Sequence, residues 1–167
     1  GALTLAAGGV ETNGHKGGNV EISSGSSATT SSGDINIISP NAGSGGVSGF
    51  VSMTTGDSTS GVSGLIQLST GKSVDGASGL LSLSSGEATG TGPTQDSGAL
   101  LIGTGKASGS SGAISITGGT GKGGDGGALT LTAGGVETSH KGGDVAISSG
   151  SSAISSSGAI TISSPNA

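Results

Sequence analysis

Residues 111–135 read SGAISITGGTGKGGDGGALTLTAGG, and this stretch decides the predicted fold. It contains two apolar–x–apolar motifs, Ile114/Ile116 and Leu129/Leu131, joined by a segment rich in glycine. Alternation of apolar and polar residues over a few positions is typical of a β-strand. Glycine at this density, without any 3.6-residue periodicity, excludes an α-helix. The stretch therefore predicts short strands separated by glycine turns.

The same motif recurs eleven times along the chain, at intervals of 14 to 19 residues that are mostly 15 or 16. Each strand is too short to hide its apolar side alone, so successive copies must stack on one another. The period predicts an all-β fold, a parallel β-solenoid (β-helix) with about 15 residues per coil and about 11 coils. The coils would lie about 4.8 Å apart with the apolar residues turned inward. We call the two apolar residues of each motif an apolar pair. The pairs are Leu3/Leu5, Val20/Ile22, Ile35/Ile37, Val51/Met53, Ile66/Leu68, Leu81/Leu83, Leu100/Ile102, Ile114/Ile116, Leu129/Leu131, Val145/Ile147 and Ile160/Ile162.

Glycine placement predicts the turns of this solenoid. Gly-Gly and Ser-Gly dipeptides stand just before the strands, and they predict sharp turns with positive φ. The widest interval contains residues 90–97, GTGPTQDS, and predicts an outward loop because Pro93 donates no ladder hydrogen bond. A bundle of polyproline II helices also tolerates high glycine content, but it needs glycine at every third residue. The glycine spacing here follows the period of 15 and favours the solenoid.

A longer repeat of about 125 residues contains the short one. Residues 1–42 match residues 127–167 with one residue deleted in the second copy, and 32 of the 41 aligned positions are identical. The chain begins at Gly1 and stops within this second copy. We expect residues 1–167 to be a single solenoid segment of a longer tandem array.

The composition excludes several classes of protein. Glycine, serine and threonine occupy 91 of the 167 positions, which leaves few of the large side chains that fill the core of a conventional enzyme. A net charge of −5 without any arginine argues against binding to nucleic acid. The apolar runs are far shorter than the roughly 20 residues of a membrane-spanning helix, and the absence of cysteine excludes disulfides.

No residue is predicted to be catalytic, to bind a cofactor or to bind a metal. His15 and His140 occupy equivalent turns eight coils apart, roughly 38 Å along the predicted axis, too far for one metal ion to bridge. Residues 71–73 (GKS) lack the first glycine and the helix of a phosphate-binding loop. Residues 118–125 (GGTGKGGD) are similar to a calcium-binding nonapeptide, but the phrase is not repeated from coil to coil.

Three phrases carry a resemblance to a known class of protein: SSGDINIISPNAG (31–43), VSGFVSMTTGDSTSGVSG (47–64) and residues 111–135. They resemble Gly/Ser/Thr-rich tandem-repeat extracellular proteins like those predicted from diatoms and related heterokont algae. The resemblance covers the whole chain. It implies a secreted or cell-surface location and carries over no functional residue.

These observations predict a structural protein rather than an enzyme: an extracellular fibre, surface hair or adhesive filament made from stacked β-coils. We expect self-association into the filament, no nucleic acid partner and no membrane span. If the chain is secreted, O-glycosylation of its 52 serine and threonine side chains is feasible. The alternative is an ice-binding or polysaccharide-binding solenoid module, because the residues beside the apolar pairs include many hydroxyls, among them Thr54, Thr117 and Thr132.

Overall fold

The computed structural model describes residues 1–11, 14–90 and 95–164, and these residues form no helix and no strand. The chain is mostly coil with isolated bends, at residues 28–30, 59–61 and 137–140 among others. The predicted β-solenoid is therefore wrong. The predicted loop at 90–97 lies largely outside the described residues, because residues 91–94 are not among them.

The pattern of backbone hydrogen bonds explains why no solenoid forms. A parallel ladder needs bonds between successive apolar pairs, about 15 residues apart in sequence. The bonds found among the described residues instead join residues two to ten positions apart, as in Gly18 N–H to Gly8 O and Gly33 N–H to Gly25 O. The backbone therefore closes into local loops, and in the described ranges the segments that hold the apolar pairs make no backbone hydrogen bonds to each other.

The inward position predicted for the apolar pairs is also wrong, since no residue of the described chain is buried. Ile116 is 62% exposed and Leu131 is 67% exposed. Two large side chains in every 15 residues provide little apolar area, whereas ordering a glycine-rich backbone costs more conformational entropy than ordering any other. The coil conformation follows from this imbalance.

The chain divides into two units, Gly1–Ser82 and Leu83–Ala167. Both contain the same kind of loop. Each loop closes where a glycine that precedes one apolar pair approaches the backbone just after the preceding apolar pair. We call each closing point a loop neck. Five necks are closed by an N–H···O hydrogen bond of 2.8 to 2.9 Å between two glycines. They are Gly8/Gly18 and Gly25/Gly33 in the first unit, and Gly119/Gly127, Gly134/Gly143 and Gly150/Gly158 in the second.

At five further necks a glycine ahead of an apolar pair comes near a side chain that precedes the loop, and no backbone hydrogen bond between the two segments is found among the described residues. At each of them a Cβ built on the glycine would lie within 4 Å of a side chain that precedes the loop. These necks are Ser39/Gly49, Thr55/Gly64, Thr70/Gly79, Ser85/Gly98 and Thr104/Gly112. All ten necks therefore recur once per period, each ahead of an apolar pair.

Close approach, rather than positive φ, is what the glycines at the necks provide. Positive φ occurs in the described residues at Gly14 (93°) and Gly45 (79°), and neither directly precedes an apolar pair. A Cβ on Gly18 would lie only 3.1 Å from the Cβ of Ala7, so any larger residue would force this neck apart. The prediction of positive-φ turns before each strand was wrong, and the glycines serve to let two backbone segments touch.

Candidate functional site

The apolar pairs form the most regular chemical feature of the structure. Members of the nine pairs from Val20/Ile22 to Val145/Ile147 are 51 to 70% exposed. Most other large apolar residues are more exposed, at 77 to 99%; they are Ile38, Val47, Phe50, Val62, Leu65, Val74, Leu80, Leu101 and Ile154. Val10 and Val136, which are equivalent in the long repeat, are the exceptions at 50% and 49%. These nine pairs are thus less exposed than most other large apolar side chains, although more than half of each side chain is open to solvent. In the two end pairs, Leu3, Leu5 and Ile162 are 72 to 89% exposed.

Few charges interrupt this apolar side. Glu21 is the one charged residue at the centre of an apolar pair, and every lysine lies in a loop between pairs. The chain exposes 16163 Å² of surface, whereas a compact monomer of 15.1 kDa exposes about 7100 Å² and its unfolded chain about 22,000 Å². The apolar pairs are part of this open surface, and apolar surface that stays open is available for association.

The loop necks are the second candidate feature, and one of them is reinforced by a side chain. At the neck Gly25/Gly33, the Ser24 hydroxyl donates a 2.8 Å hydrogen bond to the Gly33 carbonyl, which adds to the Gly33 N–H bond to Gly25. Ser39 and Ala133, both at necks, are the only described residues of intermediate rather than full exposure. Two of the necks therefore contain the least exposed residues of the described chain.

The loops between necks contain short hydroxyl-based turns. The Ser27 oxygen accepts hydrogen bonds from the N–H groups of Thr29 (3.3 Å) and Thr30 (3.0 Å). Ser152, at the equivalent position of the long repeat, accepts from the N–H groups of Ile154 (3.4 Å) and Ser155 (2.9 Å). Such turns satisfy backbone donors locally. They give the two copies the same loop conformation although Thr29 is replaced by Ile154.

The structure places the histidines and acids singly. His140 Nδ1 lies 2.9 Å from the Thr138 hydroxyl, and the His140 N–H donates to the Thr138 carbonyl at 2.8 Å. Among the described residues, no three histidine or acidic side chains come together in an arrangement that would hold a metal ion, and no pocket opens. Residues 71–73 and 118–125 lie in exposed coil. The described residues also include no helix that is long and apolar enough to span a membrane.

One ion pair was not anticipated from the sequence. Lys141 Nζ donates to Asp144 Oδ2 at 2.6 Å, with both side chains more than 70% exposed. The K-x-x-D spacing is the signal that could have revealed it. The first copy of the long repeat has Lys16 but carries Asn19 in place of the aspartate, so this ion pair belongs to the second copy alone.

We expect Asp144→Asn to leave the neck Gly134/Gly143 almost unchanged, because exposed ion pairs contribute about 0–1 kcal/mol. The measurement is hydrogen–deuterium exchange at the Gly143 amide, which donates the neck bond. Protection should change by less than about fivefold. Asn19→Asp installs the same spacing in the first copy and is the matched control. Loss of Gly143 protection in Asp144→Asn would show that the ion pair holds the neck closed.

No family model, curated protein or solved structure matches the chain.

Proposed function

We propose that the chain is a structural, non-catalytic segment of an extracellular fibre, surface hair or adhesive filament, and that it works by self-association. The observation that carries the proposal is the set of apolar pairs, every member more than half exposed and repeated at a nearly constant interval, with no buried core in the described part of the chain. A single chain leaves these side chains exposed to solvent. A second copy has apolar pairs at the same spacing, and it is therefore the partner that can cover them. Burial between copies supplies the cohesion that one copy lacks.

An extracellular or cell-surface location is part of this proposal. It is supported by the resemblance to tandem-repeat extracellular proteins and by the scarcity of lysine, which with the absence of arginine limits cleavage by trypsin-like proteases. The exposed hydroxyls of the loops, such as Ser26 and Ser151, are accessible to O-linked glycosylation. Ice or polysaccharide binding needs hydroxyls arrayed on a regular strand face, and the described residues form no strand, so the proposal is confined to the structural role.

The experiment that tests the proposal is imaging of the material in its native setting combined with a concentration series of the isolated chain. We expect antibody labelling on the surface of intact cells, filaments in negative stain, and sedimentation that shifts to larger species as the concentration rises. Discrete monomers at every concentration, or labelling confined to the cell interior, would overturn the proposal.

A further inference from the structure

The loop necks give the chain a mechanical property that its repeated apolar pairs alone do not imply. Each neck with a backbone hydrogen bond connects two glycines that are eight to ten residues apart. The residues inside the loop are therefore bypassed when the chain is pulled by its ends, because tension passes through the neck. Each loop therefore stores chain length that is released only when its neck opens.

We propose that these loops are reservoirs of chain length that open under tension and close again when it is released. In a filament this would make the material extensible, and in that respect the inference rests on the proposed structural function. The property itself belongs to the single chain.

The stored length follows from backbone dimensions. The eight residues from Gly25 to Gly33 span about 26–29 Å when extended, whereas the Cα atoms of a hydrogen-bonded pair lie about 5.5 Å apart. Opening this loop therefore releases about 20–25 Å, and opening all five hydrogen-bonded loops releases about 120 Å.

The closing contacts are weak enough to open and local enough to re-form. Each of the five necks has one backbone hydrogen bond, which lies in an exposed part of the chain. A lone exposed hydrogen bond that is pulled over a distance of 20 Å or more yields at a force on the order of a few piconewtons. Closure of a loop of about ten residues takes about 10–100 ns, so the rate of closing does not limit recovery once the tension falls.

The two copies of the long repeat supply matched loops for the test, at the necks Gly25/Gly33 and Gly150/Gly158. A Cβ on Gly33 would lie 3.4 Å from the Ser24 Cβ, and a Cβ on Gly158 would lie 3.5 Å from the Ser149 Cβ. These separations are close to the 3.5–4.5 Å between Cβ atoms in a disulfide. The chain has no cysteine of its own. The substitutions Ser24→Cys, Gly33→Cys, Ser149→Cys and Gly158→Cys therefore lock both loops under oxidising conditions.

The opposite variant keeps both loops open. Gly33→Pro with Gly158→Pro removes the N–H groups that close the two necks, because proline has no backbone donor. The control is Ser32→Pro with Ser157→Pro, which places the same residue one position earlier. Neither Ser32 nor Ser157 donates a backbone hydrogen bond among the described residues.

The experiment is force–extension measurement on single tethered molecules of the full chain. We expect the native chain to follow the locked variant at the lowest forces and the open variant above a few piconewtons. The locked variant should be shorter than the open one by about 50 Å of contour length, and reduction of its disulfides should restore native behaviour. The Ser32→Pro/Ser157→Pro control should behave as the native chain does.

Three results would overturn the inference. A native chain that matches the open variant at every force has no closed loops, and one that matches the locked variant at every force does not release them. A control that behaves like the open variant would likewise overturn the role of the neck bonds. Because single tethered molecules have no partner copy, failure here leaves the filament proposal standing, and absence of filaments leaves this result unaffected.

Discussion

Replacement of Ile114 and Ile116 with aspartate will raise the concentration needed for self-association by about a hundredfold or more. The two side chains are 52% and 62% exposed in the single chain, so this remaining area is what a second copy can bury. Loss of the two apolar contacts removes about 2–3 kcal/mol, taking about 1.5–3 kcal/mol for full burial of each side chain and scaling by its exposed fraction. Two carboxylates that must leave water at the interface add a further penalty of several kcal/mol. Sedimentation at a series of concentrations measures the effect.

The single chain should tolerate this double substitution, because neither position is buried within it. We expect the circular dichroism spectrum and the hydrodynamic radius of the dilute variant to match those of the native chain. Ser115→Asp with Thr117→Asp adds the same charge to the same segment while leaving the apolar pair intact, and it is the matched control. Equal loss of association in both variants would attribute the effect to charge and contradict a role for the apolar pairs. Association of Ile114→Asp/Ile116→Asp at native concentrations would remove the pairs from the interface altogether.

The period of the structure could be predicted from the sequence, but the absence of strands among the described residues could not. Alternation such as Ile114-x-Ile116 specifies which side of a strand would be apolar, and the nine inner pairs are less exposed than most other large apolar residues although none of them is buried. It does not specify that another segment lies about 4.8 Å away. That distance must be stabilised by hydrogen bonds between periods, and the amides of Gly18 and Gly33 bond within their own loops instead.

The sequence contains a signal for the necks, but the solenoid interpretation assigned those glycines to turns. Glycine recurs at two points in most periods, three residues after one apolar pair and two residues before the next, as at Gly119 and Gly127. Read as a pair of contact points, this spacing indicates a closed loop. Other contacts had no signal of this kind. The bond between Thr138 and His140 depends on the conformation of one loop, and the long repeat differs there by one residue.

Oxidation of a Ser149→Cys/Gly158→Cys variant will form its disulfide at least tenfold faster than oxidation of Ser149→Cys/Ser155→Cys, because the first two positions meet at a closed neck. The Cβ atoms of residues 149 and 158 would lie 3.5 Å apart, within the range that a disulfide needs. Ser155 lies near the tip of the same loop, three residues before the neck glycine. In a chain without necks the order would reverse, since the entropy of loop closure favours the shorter loop by roughly twofold. The comparison therefore separates a closed loop from an unstructured chain by the direction of the difference as well as its size.

Ser24→Cys/Gly33→Cys repeats the test in the first copy, where the Ser24 hydroxyl bond to Gly33 is lost on substitution. Rapid closure there would show that the glycine-to-glycine bond suffices to hold the neck. Faster closure of the Ser149→Cys/Ser155→Cys variant, measured as the rate of free thiol loss in dilute solution, would contradict the closed loops.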